Sequence, residues 1–125
     1  MRLLLDTHIF VWLTNDDERL GHSARQLLMS ANEIFISSAS IWEIAIKARI
    51  NKIRADPEDA ILEMKTCGFH ELLVSSAHAA AVAKLPLLHR DPFDRLLIAQ
   101  TITEHLQLVT ADPRLAAYSA LVTVV

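Results

Sequence analysis

The chain has a single cysteine, two glycines, four prolines and one tyrosine in 125 residues. Each shortage excludes something. A lone Cys67 excludes an intrachain disulfide and any cysteine-based zinc site, and it reads as a buried small hydrophobe. Two glycines exclude the glycine-rich loops that cradle phosphates and dinucleotides. Together with so few prolines, they argue against a many-turned all-β fold. No uninterrupted apolar stretch approaches the roughly 20 residues of a membrane span. The amino-terminal apolar run is three leucines stopped by an acid, which is not the pattern of a signal peptide. The formal charge of −3 carries no global signature of nucleic-acid binding, so a polyanion would need a local basic patch or metal ions. These absences predict one soluble domain with a single core, in the reducing cytoplasm.

What is present is an alternation of short apolar runs with helical patterns. Leu3-Leu4-Leu5 reads as a strand buried on both faces, with Asp6-Thr7 at its carboxyl end. Ile9, Phe10, Trp12 and Leu13 suggest a short helix ending near Asn15 to Asp17, and Ser23 is a candidate cap for a second. Ile34 to Ile36 forms the next strand. A helix follows with Ile41, Ile44, Ala45 and Ala48 on one face. Asp56-Pro57 starts a helix that closes around Gly68, with the acid as cap and proline in the first turn. Leu72 to Val74 reads as the third strand, Ser75 to about Lys84 as a helix, and Leu85 to Arg90 as a loop. Asp91-Pro92 begins the longest helix, to about Glu104. Leu106 to Val109 is the fourth strand, a short helix follows Asp112-Pro113, and Leu121 to Val125 is the fifth strand. This order predicts an α/β three-layer sandwich with a mostly parallel five-stranded sheet.

Four acidic positions fall where a strand or loop gives way to a helix: Asp6, Glu43, Asp94 (with Asp91 beside it) and Asp112. Each has an ordinary explanation as a cap; Ser40 and Glu43 have capping-box spacing, and so do Asp91 and Asp94. As a set they point elsewhere. In a parallel sheet, Asp6 and Asp112 stand at the same carboxyl edge, where ligands bind. Carboxylates converging there repel one another unless a cation joins them. Oxygen donors with no cysteine or histidine companion suit Mg²⁺ or Mn²⁺.

Leu-Leu-Leu-Asp-Thr-His at the start, Ser38 to Lys47, His89 to Gln100 and Leu108 to Asp112 together resemble the PIN-domain ribonucleases. More narrowly, they are similar to the VapC-type toxins of toxin–antitoxin pairs, across essentially the whole chain and in the same order. The resemblance implies a sheet of order 3-2-1-4-5 and an acidic constellation of Asp6, Glu43, Asp94 and Asp112. It places Thr7 and Thr110 as supporting hydroxyls. Asp94 is preferred as the third acid because it stands closer to the Leu-Leu-Ile-Ala run; Asp91 is then the cap, and remains the alternative. The implied reaction is Mg²⁺- or Mn²⁺-dependent hydrolysis of RNA to a 3′-hydroxyl and a 5′-phosphate. The implied partners are a cognate antitoxin and a second copy of the chain, as homodimer or hetero-oligomer.

Lys47, Arg49, Lys52 and Arg54 form the one basic cluster, read either as a solvated helix face or as an RNA-backbone contact. Lys47 stands four residues after Glu43 and can pair with it. Arg90 and Arg95 are further phosphate candidates. The six histidines are scattered; only His89 stands close to the acids in sequence. Trp12 and Trp42 sit on apolar helix faces and read as core or interface residues. A phosphoacceptor receiver domain would need an Asp closing the third strand and a Lys closing the fifth, and neither is present. The rival from another class is a catalytically silent PIN-like module for binding or dimerisation.

Overall fold

The computed structural model describes residues 1–125. Its first strand, β1 (Arg2–Leu5), lies at the centre of a five-stranded sheet. Leu3, Leu4 and Leu5 have no accessible surface. Alternation along a strand sends them to opposite faces. Leu3 and Leu5 join the larger apolar cluster, and Leu4 joins the smaller one with Leu97, Ile98 and Leu108. A run without polar alternation is therefore what a strand covered on both sides requires.

Helices α1 (Thr7–Thr14) and α2 (His22–Ser30) lead to β2 (Glu33–Ser37). Helices α3 (Ser38–Arg49) and α4 (Pro57–Thr66) lead to β3 (His70–Leu72). The short α5 (Ser76–Ala81), a 3₁₀ turn at Val82–Lys84, and α6 (Pro92–Glu104) bring the chain back to β4 (Gln107–Thr110). A 3₁₀ segment, Pro113–Tyr118, precedes β5 (Val122–Val124). All four strand pairings are parallel, in the order β3-β2-β1-β4-β5. The expected fold is present, and the sheet is wholly parallel. The strand order reverses between β1 and β4, so their carboxyl ends flank the switch point at which such sheets bind ligands. No helix is long and apolar enough to cross a membrane.

Several local expectations are corrected. The third strand lies two residues earlier than Leu72 to Val74, because Phe35 pairs with His70 and not with Leu72. Leu73 is past the sheet and exposed, and the Val74 N–H donates to Ser38 Oγ. Helix α2 begins at His22, with Gly21 and not Ser23 at its cap position. Helix α3 begins at Ser38, because Ser37 Oγ accepts from the Ala39 N–H at 3.0 Å. Ser40 is then no cap, and Glu43 falls in the second helical turn instead of the first. Cys67 is exposed, as the C-cap of α4 on its solvent side. Gly68 does close that helix, in the left-handed region at φ 73°.

Candidate active site

The acids approach one another because four chain segments end or begin at the same sheet edge. Asp6 continues β1 by one residue: its N–H donates to Val109 O at 2.9 Å. It occupies the cap position of α1, yet its side chain makes no capping hydrogen bond. The carboxylate turns instead to β4, where Thr110 Oγ1 donates to Asp6 Oδ2 at 2.6 Å. The same hydroxyl accepts from the Asp112 N–H at 3.1 Å, so Thr110 ties together the two acids at the switch point. Thr7 Oγ1 donates to Ser40 Oγ at 2.9 Å and joins α1 to α3 inside the protein. Glu43 reaches the cleft from the adjoining turn of α3, with only 2% of its surface exposed.

Asp91 and Asp94 separate into two roles of geometry. Asp91 Oδ1 accepts from the N–H groups of Phe93 (2.9 Å) and Asp94 (3.1 Å), which caps α6. Asp94 is freed from capping, and His89 Nε2 hydrogen-bonds its Oδ2 at 2.8 Å. Asp112 caps the 3₁₀ segment through the Arg114 N–H at 3.0 Å and is gripped on both oxygens by the Arg114 guanidinium. All of these acids line one cleft, together with Lys47, His89, Arg114, His8 and Trp12.

The electrostatics follow from burial and pairing. Burial pushes the Asp6 carboxyl above its ordinary value, against the lowering pull of the Thr110 hydrogen bond. Burial, then the charges of Asp6 and Asp91, push Asp94 up to about 7, although the His89 hydrogen bond works the other way. Asp112 is held below the usual carboxylate range by its hydrogen bonds with Arg114. Burial pulls the Lys47 ammonium down, but its contacts with Glu43, Asp91 and Asp94 prevail and raise it. Lys47 hydrogen-bonds Glu43 Oε2 and stands 3.9 Å from Asp91 Oδ2.

Two oxygens in the cleft are orphaned. Asp6 Oδ1 and Glu43 Oε1 are buried and accept no hydrogen bond from the protein. A buried charged acceptor left without a partner is costly. A cation is the partner that such oxygens fit, and clustered carboxylate oxygens are the donor set of hard divalent ions. Ligand atoms of His89, Asp94 and Asp112 also lie within 4.8 Å of one another, which adds one nitrogen donor to the oxygens.

The remaining candidates distribute differently. Lys47 points into the cleft instead of lying on a solvated basic face. Lys52 and Arg54 line an adjoining groove with Arg19, and that groove shares His8 and Trp12 with the acidic cleft. Arg49 and Arg90 are exposed and line neither. Arg95 directs its guanidinium to the carbonyls of Pro86, Val82 and His89, so it ties down the loop before α6 and is not free to meet a phosphate. Sequence reasoning missed Arg114; the signal was its spacing two residues after Asp112, in the first turn that this acid caps. It also missed His8, which follows Asp6 by two residues and lines the cleft. Trp12 is half-buried, whereas Trp42 is 59% exposed and meets Phe93 edge-on at 5.1 Å.

An α/β chain with acids gathered at the β1–β4 switch point defines a known class. Residues 3–121 match the PIN domain, and the chain belongs to the PIN-domain family. It is 32% identical over 122 residues to ribonuclease VapC22 of Mycobacterium tuberculosis, which takes in 93% of this chain and 91% of that protein. Among solved structures, VapBC2 from Rickettsia felis, bound to a DNA fragment from their promoter, is similar at a TM-score of 0.71 and 20% identity, over 100% of this chain and 98% of that one. A toxin–antitoxin complex from Klebsiella pneumoniae is similar at 0.68 and 19% identity, over 97% and 95% of the two chains. At these identities the structural likeness speaks for the fold.

Proposed function

We propose that this chain is a divalent-metal-dependent endoribonuclease acting in the cytoplasm as the toxin of a toxin–antitoxin pair. The observation that carries the reading is the convergence of Asp6, Glu43, Asp94 and Asp112 on one cleft with two buried carboxylate oxygens unpartnered. The ribonuclease name of the relative at 32% identity supports the choice of RNA. The toxin–antitoxin complexes among the structural neighbours support a cognate antitoxin as partner. A homodimer or a hetero-oligomer with that antitoxin accords with Trp42 and Ile46 of α3 and Ile50 at its C-cap, which are exposed and recur every four residues.

The four acids would hold Mg²⁺ or Mn²⁺, with Asp91 left to cap α6. When bound, such an ion acidifies a water and neutralises charge that grows on the phosphoryl oxygens. The rest is the work of the chain's own residues. Thr110 fixes the rotamer of Asp6, and His89 fixes that of Asp94, so both carboxylates are set before substrate arrives. Glu43, buried on α3 in the cleft wall, keeps Oε1 unpartnered, an acceptor left for a water or a ligand. Lys52 and Arg54 in the adjoining groove, where Arg19 is already paired with Asp17, give the sugar–phosphate backbone a cationic path toward the acids.

The experiment is cleavage of a mixed-sequence RNA by the purified chain with Mg²⁺, with Mn²⁺ and with EDTA. Cleavage is expected with either metal and not with EDTA, and Asp6→Asn is expected to abolish it while the circular dichroism spectrum stays unchanged. RNA binding without metal-dependent cleavage would instead support the silent binding module.

A further inference from the structure

The cleft does not treat its carboxylates alike. Glu43 and Asp112 each already hold a permanent cation from the same chain. Lys47 stands one turn beyond Glu43 on α3, hydrogen-bonds its Oε2, and lies 3.9 Å from Asp91 Oδ2. Its ammonium also sits 5.7 Å from the centre of the Phe93 ring, a second favourable contact for a cation. The Lys47 side chain is only 23% exposed, so it is packed into the cleft wall and does not reach out to solvent. Arg114 holds Asp112 through Nε at 3.0 Å and Nη2 at 2.7 Å, a two-pronged grip on both oxygens.

Asp6 and Asp94 differ. Asp6 has a hydroxyl on one oxygen and nothing on the other, and Asp94 has one histidine contact. Neither has a lysine or arginine partner within ion-pair distance. Asp91, the remaining acid, directs one oxygen to the amino end of α6. Lys47 and Arg114 thus occupy Glu43 and Asp112, and Asp6 and Asp94 are the acids left for a cation from solution.

We propose that Lys47 is the resident cation of the Glu43 side of this cleft, so that the site takes one divalent ion, on Asp6 and Asp94, and not two. The inference rests on the metal-binding reading above and narrows its direct ligands from the four acids to Asp6 and Asp94. Lys47 supplies by a covalent tether a cation at the place where a two-ion site takes its second ion from solution. It acts through Glu43 and is a positioning residue. Removing it leaves a buried carboxylate unpaired, with Oε1 already free and Asp91 alongside, and those oxygens then attract a second ion.

The test counts bound Mn²⁺ per full-length chain by electron paramagnetic resonance of free Mn²⁺. It is run at pH 8, where an ordinary histidine is neutral. Wild type and Lys47→Arg are expected to bind one ion. Lys47→Met, which keeps an unbranched side chain beside Phe93, is expected to bind two, with line broadening from the coupled pair. Thermal melts establish that each variant is folded, and Lys47→Gln replaces the methionine variant if it is not. Two ions in wild type, or one in wild type and in the charge-removing variant alike, overturn the role of Lys47 and leave the metal site standing. No ion in wild type removes the metal-binding reading and this inference together.

Discussion

At the scale of the residue, the site is defined by which acids are satisfied and which are not. Asp94 shows this best. Its folded-state pKa of about 7 lies above the 3.8 of an ordinary aspartate, so the folded, metal-free chain holds that proton more tightly than the unfolded chain does. A raised carboxyl contributes its stability in full below the unfolded pKa, and the contribution is lost as pH rises through the folded one. The metal-free protein should therefore lose stability from about pH 4 to about pH 7 on account of this group. Asp94→Asn should remove that part of the slope. In urea denaturation with EDTA it should gain on wild type at pH 8, by on the order of 2 kcal/mol after allowance for partial solvent access, and gain little at pH 4. An equal difference at both pH values would assign the strain to another group. Thr110 makes a second case. Thr110→Val deletes the donor to Asp6 and leaves Oδ2 as orphaned as Oδ1. A loss of about 1–3 kcal/mol is expected without metal, and a smaller loss in saturating Mg²⁺, both read from denaturation midpoints.

At the scale of the element, helix starts decide which acids face the cleft. Asp91 begins α6 and thereby frees Asp94 to point elsewhere. Asp91→Ala should cost about 0.5–2 kcal/mol of stability, while Asp91→Asn, which still accepts from the same N–H groups, should cost little. A large loss from the asparagine variant would mean that the charge of Asp91, not its capping oxygen, is what the fold uses. The strands and long helices were legible in the sequence for physical reasons. Leu3 to Leu5, too short for a helix and stopped by an acid, reads as a strand covered on both faces, and Asp91-Pro92 followed by a long apolar pattern reads as the opening of a helix. Less legible were elements set by tertiary contacts. β3 is an edge strand of three residues, His70–Leu72, whose position depends on pairing with β2 and not on its own apolarity. The more apolar Leu73 and Val74 drew the expectation two residues too far. Helix α3 starts at Ser38 because Ser37 caps it, and Ser37, Ser38 and Ser40, with one alanine among them, offer no local means of choosing among caps. The same limit applies to the cleft. The four acids could be found by where they fall along the chain, but Arg114 carries no mark of its own until the backbone turn beside Asp112 brings it back onto that carboxylate.

At the scale of the whole molecule, a chain of net charge −3 is expected to bind a polyanion only through local arrangement. The groove lined by Lys52 and Arg54 adjoins the acidic cleft, sharing His8 and Trp12 with it. Reversing Lys52 and Arg54 together to glutamate should weaken RNA affinity and lower the slope of log affinity against log salt by about 1.4, the change expected for two lost phosphate contacts on a single strand. Filter binding across a salt series measures both, and an unchanged slope would take this groove out of the RNA path. Binding of Mg²⁺ to the folded state alone should likewise raise the melting temperature of wild type and not of Asp6→Asn. The hydrogen bond from Thr110 to Asp6 spans 104 residues of sequence. In synthesis Asp6 is therefore made 104 residues ahead of the Thr110 hydroxyl that holds it. A nascent chain that has passed Asp6 and Glu43 but not yet Thr110 therefore carries half of its cleft with nothing to hold it in place, and the acids can come together only late in synthesis.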